Sequence, residues 1–176
     1  MATLAPSFAS RYSDAYEFLY DNRIIFYVDG SAINNGYANA RAGYGVWFQN
    51  PDLRYLNQQC RLSGDIQSNN RAELTAIITA LETAPEDGRK LIICSDSQYA
   101  MNTVMTWINK WRWNGWVNAN GFPVANRDLI EELDYNLSAR GQGVQLKYVP
   151  AHEGVLGNEK ADRMARYGAT LPPDDV

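Results

Sequence analysis

The chain has 176 residues, of which 45% are apolar and 20% charged, and its formal net charge is −4. This composition excludes a disordered or collagen-like chain, and the length leaves little room for a second domain. We expect neither a membrane span nor a secretory signal, because no apolar run approaches about 18 residues and the first residues carry no basic segment. The two cysteines, Cys60 and Cys94, are too few for a disulfide framework, so we expect free thiols in an intracellular protein.

The hydrophobic pattern predicts one domain over residues 24–170, preceded by an extension of unknown role (1–23) and followed by a flexible tail (171–176). Runs rich in β-branched and aromatic residues predict strands, and runs of helix formers that end at Gly or Pro predict helices. In chain order, the predicted elements are strand 24–28, turn 31–41, strands 43–48 and 55–62, helix 71–84, strand 90–95, helices 97–110 and 126–140, strand 144–149, and a helix capped by Asn158 that runs to about residue 167. Three strands joined by tight turns, followed by alternating helices and strands, indicate an α/β fold with a mixed sheet.

Three carboxylates stand at the ends of elements that the pattern predicts to be buried. Asp29 and Asp96 follow apolar strands, and Glu73 heads the apolar stripe of a helix. Each acid also has an ordinary interpretation: Asp29 could form a turn with Gly30, Glu73 could pair with Arg71, and Asp96 could cap a helix. Converging carboxylates repel one another unless hard cations lie between them, so the three together predict a Mg²⁺ site.

Two other features bear on function. His152, the only histidine, stands in a Gly-flanked loop after the last strand, which favours acid–base work over core packing, although a surface histidine is the alternative. A zinc metalloprotease motif is excluded, because Leu156 occupies the place of the second histidine. Residues 97–127 contain no Asp or Glu but four of the five tryptophans, so the negative net charge does not exclude a nucleic-acid partner.

Four short motifs occur in a fixed order along the chain. They are residues 27–31 (YVDGS), 68–74 (SNNRAEL), 95–97 (SDS), and 152–154 (HEG) with 157–162 (GNEKAD). Together they resemble type 1 ribonuclease H, over nearly the whole predicted domain. The resemblance implies a ribonuclease H-like α/β fold, with a five-stranded mixed sheet of strand order 3-2-1-4-5 and helices on both faces.

The resemblance also implies a catalytic site that hydrolyses the RNA strand of RNA–DNA hybrids to 5′-phosphate and 3′-hydroxyl products. In the family, two Mg²⁺ ions, for which Mn²⁺ can substitute, activate the attacking water and stabilise the leaving 3′ oxygen. His152 would relay a proton. The implied metal ligands are Asp29, the Gly30 backbone, Glu73, Asp96 and Asp162. By itself, Asp162 would be a solvated acid.

Selectivity for a hybrid requires contacts to both strands. The positions that match the family's RNA-strand contacts are Asn35, Asn69 and Asn70, and those that match its DNA-strand contacts are Ser68, Tyr99, Trp111 and Asn126. The tryptophans could also simply pack in the core. Ile66 stands where the family usually has an Arg, which predicts a weaker phosphate pocket. We expect a monomer, and the alternatives are a catalytically silent hybrid-binding module or the ribonuclease H domain of a reverse transcriptase.

Overall fold

The computed structural model describes residues 22–151 and 153–173. Within these ranges, five strands form one mixed sheet: β1 Arg23–Ile33, β2 Arg41–Phe48, β3 Gln58–Arg61, β4 Lys90–Ser95 and β5 Val144–Tyr148. The strand order is β3-β2-β1-β4-β5. The pairs β1–β2 and β2–β3 are antiparallel, whereas β1–β4 and β4–β5 are parallel. The predicted sheet order is therefore confirmed.

The helices alternate with the second half of the sheet. Their bounds are α1 Asn69–Thr83, α2 Gln98–Asn102, α3 Ile108–Trp113, α4 Arg127–Arg140 and α5 Leu156–Thr170. A π-helical turn over Thr103–Trp107 joins α2 to α3, so the predicted helix 97–110 is interrupted in its middle. None of the helices in the described ranges has the length and apolar character needed to cross a membrane.

Glycines in the strands allow helices to pack directly on both faces of the sheet. A Cβ at Gly30 would overlap the backbone of α1 at Glu73, and a Cβ at Gly45 would overlap the backbone of α5 at Ala161. Gly30 pairs across the ladder with Tyr44, the neighbour of Gly45. Because successive residues of a strand face opposite sides, α1 and α5 lie on opposite faces.

The main core lies between the sheet and α1, and α4 packs against α1 from outside. Its largest fully buried side chains come from β1, β2, β4, α1 and α4: Ile24, Phe26, Val28, Val46, Phe48, Leu74, Ile77, Leu81, Ile93, Ile130 and Leu133. This core fixes the ends of β1 and β4 relative to α1.

Two predicted strand boundaries are wrong. β1 continues to Ile33, because residues 31–33 pair with the start of β2, so the predicted turn 31–41 is shorter. The predicted strand 55–62 shortens to Gln58–Arg61, because Pro51–Leu56 forms a 3₁₀ turn with Leu53 buried. The fragments of the predicted extension and tail at 1–21 and 174–176 lie outside the described residues.

Candidate active site

Asp29, Glu73 and Asp96 converge at one edge of the sheet. One carboxylate oxygen from each lies within 4.8 Å of the other two. Asp29 lies in β1 and Asp96 directly follows β4, and these strands are parallel neighbours. Glu73 lies near the start of α1, which reaches β1 because Gly30 has no side chain. The fold therefore forces together three groups that carry the same charge.

Burial and the repulsion of neighbouring carboxylates favour the protonated forms of Asp29 and Glu73. Burial, followed by the charges of Asp96 and Asp162, raises the pKa of Asp29 to about 7. Burial, followed by the charges of Asp29 and Asp96, raises the pKa of Glu73 well above its usual range. In addition, Glu73 Oε2 is buried without a hydrogen-bond partner among the described residues. A buried oxygen that lacks a donor, within a set of carboxylates, fits a hard cation such as Mg²⁺.

The ordinary interpretations of the three acids do not hold. The cap of α2 is Ser97, whose Oγ accepts a hydrogen bond from Ala100 N at 3.2 Å. Arg71 pairs with Asp128 at 2.6 Å, not with Glu73. Gly30 lies within β1 and not in a turn. Neither capping, ion pairing nor turn formation therefore explains the three carboxylates.

Asp162 faces the same cleft, but its carboxylate forms an ion pair with the arginine Arg166. The cleft has a volume of about 570 Å³ and is lined in part by Asp29, Asp96 and Asp162. Asp162 Oδ1 accepts a hydrogen bond from Arg166 Nε at 2.8 Å, one helical turn further along α5. Asp162 therefore adds to the field of the cleft, while the tight group consists of Asp29, Glu73 and Asp96.

The sequence predicts that Asn158 caps the last helix, and this prediction is wrong. α5 begins at Leu156 after the N-cap Val155, so Asn158 lies inside the first turn. Its side chain is buried, and Nδ2 donates a hydrogen bond to Asp96 Oδ2 at 2.7 Å. His152, the predicted proton relay, lies outside the described residues and stays a prediction.

The predicted RNA-strand residues lie beside the acids. Asn35 Oδ1 accepts a hydrogen bond from Asn69 N at 3.1 Å, which ties the loop after β1 to the first turn of α1. Asn69 lines the cleft, and Asn70 is exposed next to it. Gly30 N donates to Asp29 Oδ1 at 2.8 Å, so this backbone group orients the carboxylate. The structure thus brings these residues to one rim of the cleft.

Three of the predicted DNA-strand residues are joined through an arginine. Ser68 caps α1 by accepting a hydrogen bond from Arg71 N at 3.3 Å. Arg71 Nη1 lies 3.5 Å from Asn126 Oδ1, and Asn126 Nδ2 donates to Tyr99 OH at 3.1 Å. Ile66 is 65% exposed beside this group. Arg71 is therefore a partly buried cation in contact with two of the predicted phosphate contacts, Ser68 and Asn126.

Tyr99 and three of the tryptophans form a continuous aromatic cluster. Ring centroids are 6.1 Å apart for Tyr99 and Trp107, 5.6 Å for Trp107 and Trp111, and 6.5 Å for Trp111 and Trp116. Trp111 is only partly buried and packs against the core. It thus has both a packing role and a free surface.

The family model for RNase H matches residues 21–170 of this chain. The chain belongs to the RNase H family. The match includes all three converging acids and Asp162, so the resemblance stated from the motifs is confirmed.

Curated relatives agree with this membership. The chain is 44% identical over 149 residues to "Ribonuclease H" of Schizosaccharomyces pombe, which covers 85% of this chain and 54% of that protein. It is 35% identical to "Ribonuclease HI" of Shewanella oneidensis, which covers 87% of this chain and 91% of that protein. The chain therefore spans about half the length of the yeast relative and nearly all of the bacterial one.

Solved structures show the same fold. LC9-RNase H1, described as a type 1 RNase H with the type 2 active-site motif, is 24% identical and superposes with a TM-score of 0.64. The superposition covers 85% of this chain and 72% of that one.

Sequence reasoning missed Asn158 and Arg166 as residues of the site. Arg166 could have been found from its spacing of four residues from Asp162, which places both on one face of a helix. The sequence around Asn158 instead predicts a helix cap, because an Asn before a run of helix formers is a usual N-cap. Its contact with Asp96 joins residues 62 positions apart and depends on how α5 packs.

Proposed function

We propose that this protein is a Mg²⁺-dependent endoribonuclease that hydrolyses the RNA strand of RNA–DNA hybrids and leaves 5′-phosphate and 3′-hydroxyl ends. The observation that carries the proposal is the convergence of Asp29, Glu73 and Asp96 within 4.8 Å, in a chain that matches the RNase H family model. The charge distribution agrees with a polyanionic substrate, because residues 97–127 carry no acid. The names of the curated relatives support the same activity.

The acids of the cleft would hold two Mg²⁺ ions, with Asp29, Glu73 and Asp96 as the central ligands and Asp162 at the side. When bound, these ions would supply an activated water nucleophile and stabilise the leaving 3′ oxygen in an in-line displacement. Asp29 would be ionised in that state, because a cation would offset both the burial and the repulsion that raise its pKa. The Gly30 amide keeps the Asp29 carboxylate oriented.

Both strands of the hybrid would be recognised beside the acids. Asn35, Asn69 and Asn70 present amide groups at the rim, where they would contact the 2′-hydroxyls of the RNA strand. On the DNA side, Ser68 and Asn126 would bind a phosphate, and Trp111 and Tyr99 would pack against deoxyribose. His152 would take up or relay a proton near the leaving group. We also propose an intracellular location, since both cysteines are free thiols.

The activity is tested with labelled RNA–DNA hybrid, double-stranded RNA and single-stranded RNA, each with Mg²⁺ or EDTA. We expect cleavage of the hybrid alone, and only with Mg²⁺. Cleavage that survives EDTA would refute the metal-dependent mechanism, and equal cleavage of all three substrates would refute the assigned specificity. Sequencing of the product ends tests the 5′-phosphate and 3′-hydroxyl.

Asp96→Asn separates catalysis from binding. We expect this variant to lose turnover while it keeps hybrid affinity, because it removes one ligand charge without changing the shape of the site. Asp52→Asn is the matched control. Asp52 is an exposed acid in the 3₁₀ turn, and it forms an ion pair with Arg89. A wild-type protein that binds hybrid but never cleaves it would favour the silent binding module instead.

A further inference from the structure

The first turn of α5 is pressed against the sheet. A Cβ at Gly157 would overlap the ring of Tyr27, so only a glycine permits this approach. The next residue, Asn158, is therefore carried under the cleft, where it is 4% exposed. A buried amide side chain at this place needs hydrogen-bond partners.

The side chain of Asn158 forms a hydrogen bond with the carboxylate of Asp96. Its Nδ2 donates to Asp96 Oδ2 at 2.7 Å, whereas its Oδ1 is buried without a partner among the described residues. A buried acceptor without a donor destabilises the folded protein. Stability alone therefore does not account for an amide at this position.

Hydrogen bonds of the neighbouring residues hold the backbone at Asp96, but they leave the carboxylate plane of its side chain free to rotate. Ser97 N donates to Ser95 Oγ at 3.1 Å across Asp96, and Ser97 then caps α2. These bonds fix the position of the backbone from which the Asp96 side chain extends. They do not fix the rotation of its plane, which is a broad torsion in aspartate. The bond from Asn158 sets that rotation.

We propose that Asn158 is a positioning residue that orients the Asp96 carboxylate for a divalent cation. The inference rests on the metal site of the proposed function. By bonding Oδ2, the amide leaves Oδ1 and the remaining lone pairs of Asp96 available to a cation held with Asp29 and Glu73. Partners of this kind orient the ligands of metal sites, and their loss typically weakens metal affinity about 10- to 100-fold.

The chemistry of an amide suits this role better than that of a cation. A guanidinium next to a ligand carboxylate neutralises the charge that attracts the metal, as Arg166 does at Asp162. The Asn158 amide donates a hydrogen bond without adding a positive charge. Asp96 therefore keeps its full negative charge for the cation while its plane is held.

The test is Asn158→Leu, which keeps the volume of the side chain and removes its donor. Calorimetric titration of Mg²⁺ and Mn²⁺ without any hybrid should show affinity roughly 10- to 100-fold weaker than in the wild type. In cleavage assays, the Mg²⁺ concentration for half-maximal activity should rise by a similar factor, while KM for the hybrid stays unchanged at saturating Mg²⁺. A purely structural role would lower the melting temperature without this selective shift.

Thr103→Val is the matched control, because Thr103 Oγ1 is also buried with no partner in the described part of the chain but lies in the π-helical turn. This control should leave the affinity for Mg²⁺ at the wild-type value. Equal Mg²⁺ affinity in the wild type and Asn158→Leu would overturn the inference. Absence of any divalent-ion binding in the wild type would instead overturn the proposed function, so the two failures are distinct.

A second measurement covers the case in which Asn158→Leu does not fold. In the wild-type protein, the side-chain NH₂ signals of Asn158 can be assigned through its own Cβ and followed by NMR during a Mg²⁺ titration. We expect them to shift in step with ion binding, because their acceptor is a ligand. Signals that stay constant while Mg²⁺ binds would refute the coupling.

Discussion

Replacing Asp29 with asparagine should stabilise the protein in EDTA while it abolishes metal-dependent activity. Asp29 is 6% exposed and lies within 4.8 Å of two other carboxylates. At alkaline pH it must either ionise beside them or hold a proton, and both cost free energy. An amide of the same shape removes this cost.

The magnitude follows from the pKa of Asp29. Burial and the charges of Asp96 and Asp162 raise this pKa to about 7, whereas an aspartate in an unfolded chain has a pKa of about 3.9. Between these two pH values the folded protein retains a proton that the unfolded chain has lost, so the free energy of unfolding falls as the pH rises. The full rise in the pKa of Asp29 corresponds to a loss of roughly 4 kcal/mol in the free energy of unfolding above pH 7. Because Glu73 shares the repulsion, we expect Asp29→Asn to recover about 2–4 kcal/mol at pH 8.

Thermal unfolding in EDTA between pH 4 and pH 8 tests this expectation. For a chain of this length, 2–4 kcal/mol corresponds to an increase in melting temperature of about 4–16 °C. The increase should shrink toward zero near pH 4, where the wild-type carboxyl is protonated in the folded protein and about half protonated in the unfolded chain. Mg²⁺ should stabilise the wild type far more than the variant, since only the wild type has the full ligand set. An increase that is the same at pH 4 and pH 8, or a destabilised variant at pH 8, would refute the reasoning.

Three further substitutions test other parts of the structure. Gly157→Ala should destabilise the fold by about 1–3 kcal/mol in urea unfolding, because the added Cβ would overlap Tyr27; an unchanged midpoint would contradict the tight packing of α5. Arg166→Gln should change the free energy of unfolding by less than about 1 kcal/mol, since its ion pair with Asp162 is exposed, and a larger loss would show that the pair is structural. Arg71→Ala should raise KM for the hybrid about fivefold with kcat nearly unchanged, equivalent to roughly 1 kcal/mol; a fall in kcat alone would place Arg71 in the chemistry instead.

The sequence was informative where a residue's neighbours along the chain determine its surroundings. Asp29 and Asp96 were found because each follows an apolar run, and parallel neighbouring strands bring their ends to one edge. Glu73 was found because it begins an apolar stripe of α1. In all three cases, local periodicity was enough to predict burial, and burial made the carboxylates conspicuous.

Contacts between distant segments were not predictable in this way. The bond between Asn158 and Asp96 depends on where α5 starts, and a preference for Asn at helix caps predicted a start three residues too late. The shortening of β3 has a similar cause, because Leu53 becomes buried by a 3₁₀ turn that the alternating pattern did not indicate. Local preference was overruled by packing in both cases.

The position of α5 connects the packing of the fold to the chemistry of the cleft. Small residues on both sides of the interface, among them Gly43, Gly45 and Gly168, bring α5 into backbone contact with the sheet. A helix held this closely cannot retreat to relieve repulsion between Asp162 and Asp29, because movement would expose buried Ala161 and Ala165. Burial and the charges of Asp96 and Asp162 therefore keep the pKa of Asp29 raised, and Asp162 forms an ion pair with Arg166. A cation that entered the cleft would offset the repulsion between the carboxylates without any movement of the backbone. The repulsion already present in the fold would therefore favour binding of the cation.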